Sequence, residues 1–326
     1  MLNKRILSGM RPTGKLHIGH FVGALENWIH LQNKYECYFL IADYHVLTTN
    51  LDTNDIYDNS IEMLIDWLSA GLEPEKSKMF RQSQIKQHTE LFLILSMLIT
   101  SNRLERNPTL KDQIRDLNID NVIYGHLGYP VLQAADILLY KGEIVPVGED
   151  QVPHVEISRE IARRFNNQYG LVFPEPEPLL TTFPRLPGLD GNAKMSKSLN
   201  NTILLSDSPE TIKTKIKKAV TDPNKIRKGD PGNPDICLIY SYHKKFNSSE
   251  TEEIYKNCST GQLGCVDCKL KCSTKISEYF EPLRERRTYL ENNIEEVLNV
   301  LFEGEKVAKE IAEKTMDEVH KKMKLG

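Results

Sequence analysis

No stretch of the chain reaches the ~20 consecutive apolar residues that a membrane-spanning helix requires. The opening residues, MLNKRILSGM, carry only a short apolar run broken by glycine, with no small-residue cleavage site, so the cytoplasm is the expected compartment. Internal repeats and low-complexity tracts are also missing. Nor is there an excess of positive charge: 42 Lys and Arg against 45 Asp and Glu leave a net charge of −3. That balance excludes a uniform cationic coat but not a local patch. Six cysteines in a protein of that compartment read as thiols or metal ligands rather than disulfides.

What is present is an ordinary globular composition. At 326 residues, 40% hydrophobic and 27% charged, the chain can bury a sizeable core and has room for two domains. RILSG near the N-terminus, CYFLIAD at Cys37–Asp43, KMFRQS and EIVPVGED read as strands. Between them lie helical stretches: one from about His17, NSIEMLIDWLSAGL, the very apolar HTELFLILSMLIT, and YPVLQAADILLY at Tyr129–Tyr140. The apolar one is expected to be deep core or a subunit contact. Strands alternating with helices predict a parallel α/β sheet. PEPEPLL, with its prolines, reads as a segment leading away from it, and from about Ser206 the chain reads as mostly helical.

Two short motifs carry chemistry. In RPTGKLHIGHFVGAL, Arg11–Leu25, His17 and His20 lie one helical turn apart where a strand becomes a helix, and both can donate hydrogen bonds to phosphate oxygens. Gly9, Gly14, Gly19 and Gly23 allow a polyphosphate close to the backbone at the carboxyl end of a parallel strand. A zinc pair would need further ligands that this neighbourhood does not offer. The second motif, GNAKMSKSLN, places Lys194 and Lys197 three residues apart in a small, polar loop that can clamp a departing pyrophosphate. Either motif alone is an ordinary helix start or solvated loop; together, in this order, they point to nucleotide chemistry.

Five cysteines cluster late in the chain. Cys237 and Cys258 have twenty residues between them, and Cys258, Cys265 and Cys268 have gaps of six and two. Four such thiols predict a metal site, either zinc or iron–sulfur, between which spacing does not choose. Cys37, in a strand, reads as a small core residue. Between Thr211 and Lys228, seven basic residues face one acidic residue, which alone would be a solvated helix face.

His17-Ile18-Gly19-His20 and Lys194-Met195-Ser196-Lys197-Ser198 resemble the two signatures of class I aminoacyl-tRNA synthetases. YPVLQAADILLY and PVGEDQVPHVEISREIARRFN resemble the tryptophanyl family within it, over nearly the whole chain. The resemblance implies a Rossmann-like catalytic domain over 1–205, a helical anticodon-binding domain over 206–290, and a C-terminal helical segment over 291–326. It also implies a homodimer acting on L-tryptophan, ATP with Mg²⁺, and tRNA(Trp). Asp136 is expected to accept the indole N–H, with His45, Tyr129, Gln133 and Gln151 around the amino acid; Gln133 stands where many bacterial members carry methionine.

For ATP the resemblance assigns Arg11, Pro12, Thr13, Gly19, His20, Gly148, Glu149, Asp150, Leu186 through its backbone, and Lys194 to Ser198. His17, His20, Lys194 and Lys197 are the expected catalytic groups. A subset of bacterial members holds a 4Fe-4S cluster on a similar cysteine pattern with a slightly longer first gap. Cys237, Cys258, Cys265 and Cys268 are therefore the expected ligands, with Cys272 spare or replacing Cys268. Two rivals follow from the same motifs: a small-molecule nucleotidyltransferase, and a noncatalytic RNA-binding or redox protein.

Overall fold

The computed structural model describes residues 4–116, 119–180, 186–191 and 195–325. The chain groups into two compact units, one drawn from residues 1–14, 27–182 and 293–326, the other from 15–26 and 183–292.

The first unit is built on a five-stranded parallel sheet in the order β3-β2-β1-β4-β5. Its strands are β1 (Arg5–Met10), β2 (Glu36–Ile41), β3 (Ser77–Arg81), β4 (Ile144–Val147) and β5 (Glu177–Leu180). In the register Ile6 lies beside Cys37 and Cys37 beside Ser77. A parallel strand covered on both faces needs a continuous apolar run, which is what CYFLI supplies: Cys37 to Ile41 are all buried. The helices Ile56–Ala70, Tyr124–Leu139 and Val152–Tyr169 provide the crossovers, and Leu40, Phe80, Leu138, Val145 and Ile161 share one core. The Cys37 thiol is buried and pushed up to about 12, chiefly by desolvation, as an inert core residue should be.

The chain order reverses at β1, which has β2 and β3 on one side and β4 and β5 on the other. At such a point the connections leave the carboxyl ends of β1 and β4 in opposite directions and open a crevice. The segments entering it are Arg11–Thr13 after β1 and Gly148–Asp150 after β4.

One element differs from the sequence reading, and another takes only part of it. PEPEPLL contains β5, because Pro178 lies in an edge strand, where one side of the ladder needs no donor. The apolar stretch after β3 is only half core: helix Gln87–Ser96 buries His88, Leu91 and Leu95 and leaves Leu93 and, just beyond it, Met97 exposed. The long last helix, Ile294–Met323, packs against β3 at the sheet edge. Ala308, Ala312, Met316 and Val319 enter the sheet core, and Arg81 Nε donates to Glu305 Oε1 at 2.6 Å. An unpaired edge is thereby covered.

The second unit is helical over most of its length, as expected from Ser206 onward. Helix Pro209–Lys218 starts on Ser208, whose side chain accepts from the Thr211 N–H, and buries Ile212 and Ile216. The helices Leu238–Phe246, Thr251–Ser259, Cys265–Tyr279 and Glu281–Asn292 follow. The basic run is not uniformly solvated: Lys215 pairs with Asp207 at 2.6 Å, and Lys225 is buried, donating to the carbonyls of Leu263 (2.9 Å) and Cys258 (3.2 Å). Lys213, Lys217, Lys218, Arg227 and Lys228 remain exposed.

Candidate active site

In the first unit the buried Asp136 carboxylate organises a polar network inside an apolar core. His45 Nε2 lies 2.8 Å from Oδ2; Gln82 Nε2 and His88 Nδ1 lie 2.7 and 2.6 Å from Oδ1. Burial alone would raise this carboxyl, but hydrogen bonds from His45 and His88 outweigh it and hold the group at about 2, fully ionised. A charged acceptor 3% exposed is thus held at the apolar end of helix Tyr124–Leu139.

Tyr129, two turns earlier on that helix, has its hydroxyl 2.6 Å from His154 Nε2. Asn107 Oδ1 accepts from the Thr109 N–H, which turns the Asn107 amide nitrogen toward His154 Nδ1 at 2.9 Å. His154, held down to about 4 mainly by burial, is neutral at physiological pH. With Nδ1 accepting, its proton is assigned to Nε2, which donates to the Tyr129 oxygen. The Tyr129 proton is then left to donate elsewhere, since burial raises its pKa well above the usual range.

The other expected contacts of this unit lie around these two networks. His45 and Tyr129 face each other edge-on, with ring centroids 6.2 Å apart. Gln133 is half-buried one turn before Asp136, and Gln151 donates to Asp150 Oδ2 at 2.9 Å. Arg11 donates to Thr49 Oγ1 at 3.3 Å; Pro12 is buried, Thr13, Glu149 and Asp150 are exposed, and Gly148 starts the turn after β4.

In the second unit the two signature motifs come together. His17 pairs with Leu204 in an isolated bridge, and the Ile18 N–H donates to the Ile203 carbonyl at 2.9 Å, just beyond the lysine loop. The His17 and His20 rings stack with centroids 3.7 Å apart, and the His17 N–H donates to His20 Nδ1 at 3.2 Å. Gly19 accounts for the closeness of approach: a Cβ there would lie 2.9 Å from His17 Nδ1 and 3.1 Å from Met195 Sδ, so a side chain would have to push the His17 ring and Met195 aside. Buried Met195 thus rests on the histidine turn.

The loop is pinned by Asn201, whose Oδ1 accepts from the Ser196 N–H at 2.7 Å and whose Nδ2 donates to Asp190 Oδ1 at 2.9 Å. Exposed Lys197 donates to the Lys15 carbonyl at 3.2 Å. Directly after His20 the helix widens into one π turn, Phe21–Leu25, a feature common at functional sites. Leu186 is buried; Lys194 and the side chain of Ser198 lie outside the described residues.

The cysteines of the second unit are neighbours. Burial, then the proximity of Cys237, Cys258 and Cys265, pushes the Cys268 thiol up to about 12, and Cys258 is raised by burial and by Cys237 and Cys265. Lys225 Nζ lies 3.9 Å from Cys258 Sγ, and His243 Nε2 3.5 Å from Cys268 Sγ. Cys272 is buried nearby. Among the described residues, no three His, Cys, Asp or Glu side chains converge closely enough to hold a metal ion. The four thiols match a metal group in donor type and number, but their geometry among the described residues does not form one.

Sequence reasoning missed Gln82, His88, Tyr140, Asn107 and His154. The available signal was polar residues inside apolar runs: His88 opens HTELFLIL, and Gln82 follows directly on β3.

The family described as tRNA synthetases class I (W and Y) matches residues 3–281. Among curated relatives, the tryptophan–tRNA ligase of Thermotoga maritima is 48% identical over 98% of this chain and 99% of its own length. That of Aquifex aeolicus is 45% identical over 98% of this chain and 100% of its own. Among solved structures, a tryptophanyl-tRNA synthetase from Campylobacter jejuni, complexed with ADP and tryptophan, superposes with a TM-score of 0.88 at 35% identity, covering 98% of this chain and 99% of that one.

Proposed function

This chain belongs to the class I tRNA synthetases of the tryptophan and tyrosine branch, and from that membership we propose how its residues divide the work. It is a tryptophan–tRNA ligase, an ATP-dependent aminoacyl-tRNA synthetase. The observation that carries this is full-length likeness to ligases of that one specificity, at 45% and 48% identity.

The tryptophan carboxylate attacks the α-phosphate of ATP, which is accompanied by Mg²⁺. A carboxyl–phosphate bond forms, the α–β phosphoanhydride breaks, and pyrophosphate leaves. A ribose hydroxyl at the tRNA 3′ end then attacks the acyl carbon and releases AMP. The reading requires no protein nucleophile, so the residues contribute positioning and charge stabilisation. His17 and His20 hold phosphate oxygens, and Lys194 and Lys197 draw out the pyrophosphate. Arg11–Thr13, Gly19, Gly148–Asp150, Leu186, Met195, Ser196 and Ser198 seat ATP. Their support is that Arg11–Thr13 and Gly148–Asp150 enter the crevice at the strand-order reversal, and that Gly19 and Met195 are in contact. Asp136 accepts the indole N–H, while His45, Tyr129, Gln133 and Gln151 hold the rest of the amino acid.

Cys237, Cys258, Cys265 and Cys268 would hold a 4Fe-4S cluster, which would supply a structural tie in the anticodon-binding region 206–290. What favours that reading is that Cys237, Cys258 and Cys265 lie near enough to Cys268 to raise its thiol. The exposed Lys213, Lys217, Lys218, Arg227 and Lys228 suit the tRNA backbone. A homodimer is favoured by exposed Leu93 and Met97, with 291–326 as the C-terminal helical segment beside the sheet. No helix among the described residues is long and apolar enough to cross a membrane.

ATP–pyrophosphate exchange tests the activation step. Exchange dependent on tryptophan and not on tyrosine is expected; exchange with neither, or with tyrosine alone, overturns the assignment.

A further inference from the structure

We infer that His88, held by Tyr140 and assisted by Gln82, is a positioning residue that makes the Asp136 end of the pocket accept N–H donors and nothing else. The inference rests on the ligase reading and adds to it the residues that set indole selectivity.

Each carboxylate oxygen has two in-plane lone pairs. On Asp136, Oδ1 receives Gln82 Nε2 at 2.7 Å and His88 Nδ1 at 2.6 Å, so its acceptor directions are filled. Oδ2 receives His45 Nε2 at 2.8 Å and keeps one direction open. The charge is therefore fixed in place with a single vacant acceptor.

The second nitrogen of His88 shows how that state is enforced. Nε2 lies 2.9 Å from the Tyr140 hydroxyl, and both residues are wholly buried. Burial and the nearby Asp136 charge raise Tyr140 well above the usual tyrosine range, so it keeps its proton and donates it to Nε2. His88 then carries its own proton on Nδ1, directed at Asp136. Tyr140, His88 and Asp136 form one relay with a single consistent set of proton positions.

Gln82 completes the arrangement. Its amide nitrogen must face the carboxylate, since the oxygen would be repelled there, and Oε1 is left buried without a donor. The three donors around Asp136, from His45, His88 and Gln82, are all committed to the carboxylate. An indole N–H has a hydrogen to give and no lone pair to satisfy, so it suits this end. A phenol could also donate, but its oxygen lone pairs would find no donor among these three, and burying them unpaired is costly.

The test compares kcat/KM in ATP–pyrophosphate exchange for L-tryptophan and for β-(benzothiophen-3-yl)alanine, which has sulfur in place of the indole N–H. The wild-type chain is expected to prefer tryptophan strongly. In His88→Asn the preference falls by at least about tenfold, through the KM for tryptophan, with the KM for ATP unchanged. Tyr140→Phe, which keeps the ring and removes only the hydroxyl, moves the ratio in the same direction by less and decides the matter should His88→Asn not fold. A merely structural role would lower both substrates together; an unchanged ratio in the folded variants overturns the inference. Failure of the wild-type chain to exchange with tryptophan would instead overturn the ligase reading.

Discussion

Lys197 and His154 act through charge in opposite ways. Lys197 is exposed, next to the histidine turn, and under the proposed function its positive charge acts when pyrophosphate charge develops. Lys197→Ala should therefore slow tryptophan-dependent exchange by about 100-fold, on the order of 3 kcal/mol, with tryptophan binding measured by calorimetry unchanged. His154 is buried and kept neutral, with a pKa moved from 6.5 to about 4. As pH falls below 6.5 the unfolded chain takes up a proton that the folded chain refuses. Stability is thus full above pH 6.5 and declines until about pH 4, by on the order of 3 kcal/mol. Asp136 works in a lower window: its contribution is present above 3.8 and disappears as pH falls toward 2. Urea midpoints from pH 7 to 4.5 should fall for the wild-type chain and fall less for His154→Gln; equal slopes would contradict the assignment.

At the scale of elements, the last helix packs tightly against the sheet edge. A Cβ on Gly304 would lie 1.9 Å from the Met79 carbonyl oxygen, so helix and strand backbones touch there. Gly304→Ala should cost about 1–3 kcal/mol, visible as a lowered urea midpoint. The cysteine helices offer a second check. Cys268→Ser should lower the iron content and visible absorption of anaerobically purified protein, whereas zinc in colourless wild-type protein would remove the cluster.

How much of this was legible depended on whether information was local. Strands such as CYFLI announce themselves, because a sheet covered on both faces demands apolar runs. The histidine and lysine motifs were legible because their spacing carries their chemistry. β5 was not, since Pro178 and the prolines just before it argue against a strand unless its place at the sheet edge is known. His88 and His154 were not legible either, because a polar residue in an apolar run has no meaning until its partners, 48 and 25 residues away, are in place. Lys225 looked like one more solvated cation; only the fold shows it buried against the carbonyls beside the cysteines.

For the whole molecule, the proposed function gives activation and transfer to one chain: a sheet unit with the buried Asp136 carboxylate proposed to meet the indole, and a unit carrying the histidine and lysine motifs, the cysteines and an exposed basic surface. Activation alone would also suit a small-molecule nucleotidyltransferase, so transfer to RNA is the decisive step. The measurement is the charging of tRNA(Trp) with radiolabelled tryptophan, set beside tyrosine with the same tRNA. The account predicts ATP-dependent formation of acid-precipitable tryptophanyl-tRNA and none with tyrosine. Tryptophan-dependent pyrophosphate exchange without any charged tRNA would contradict it.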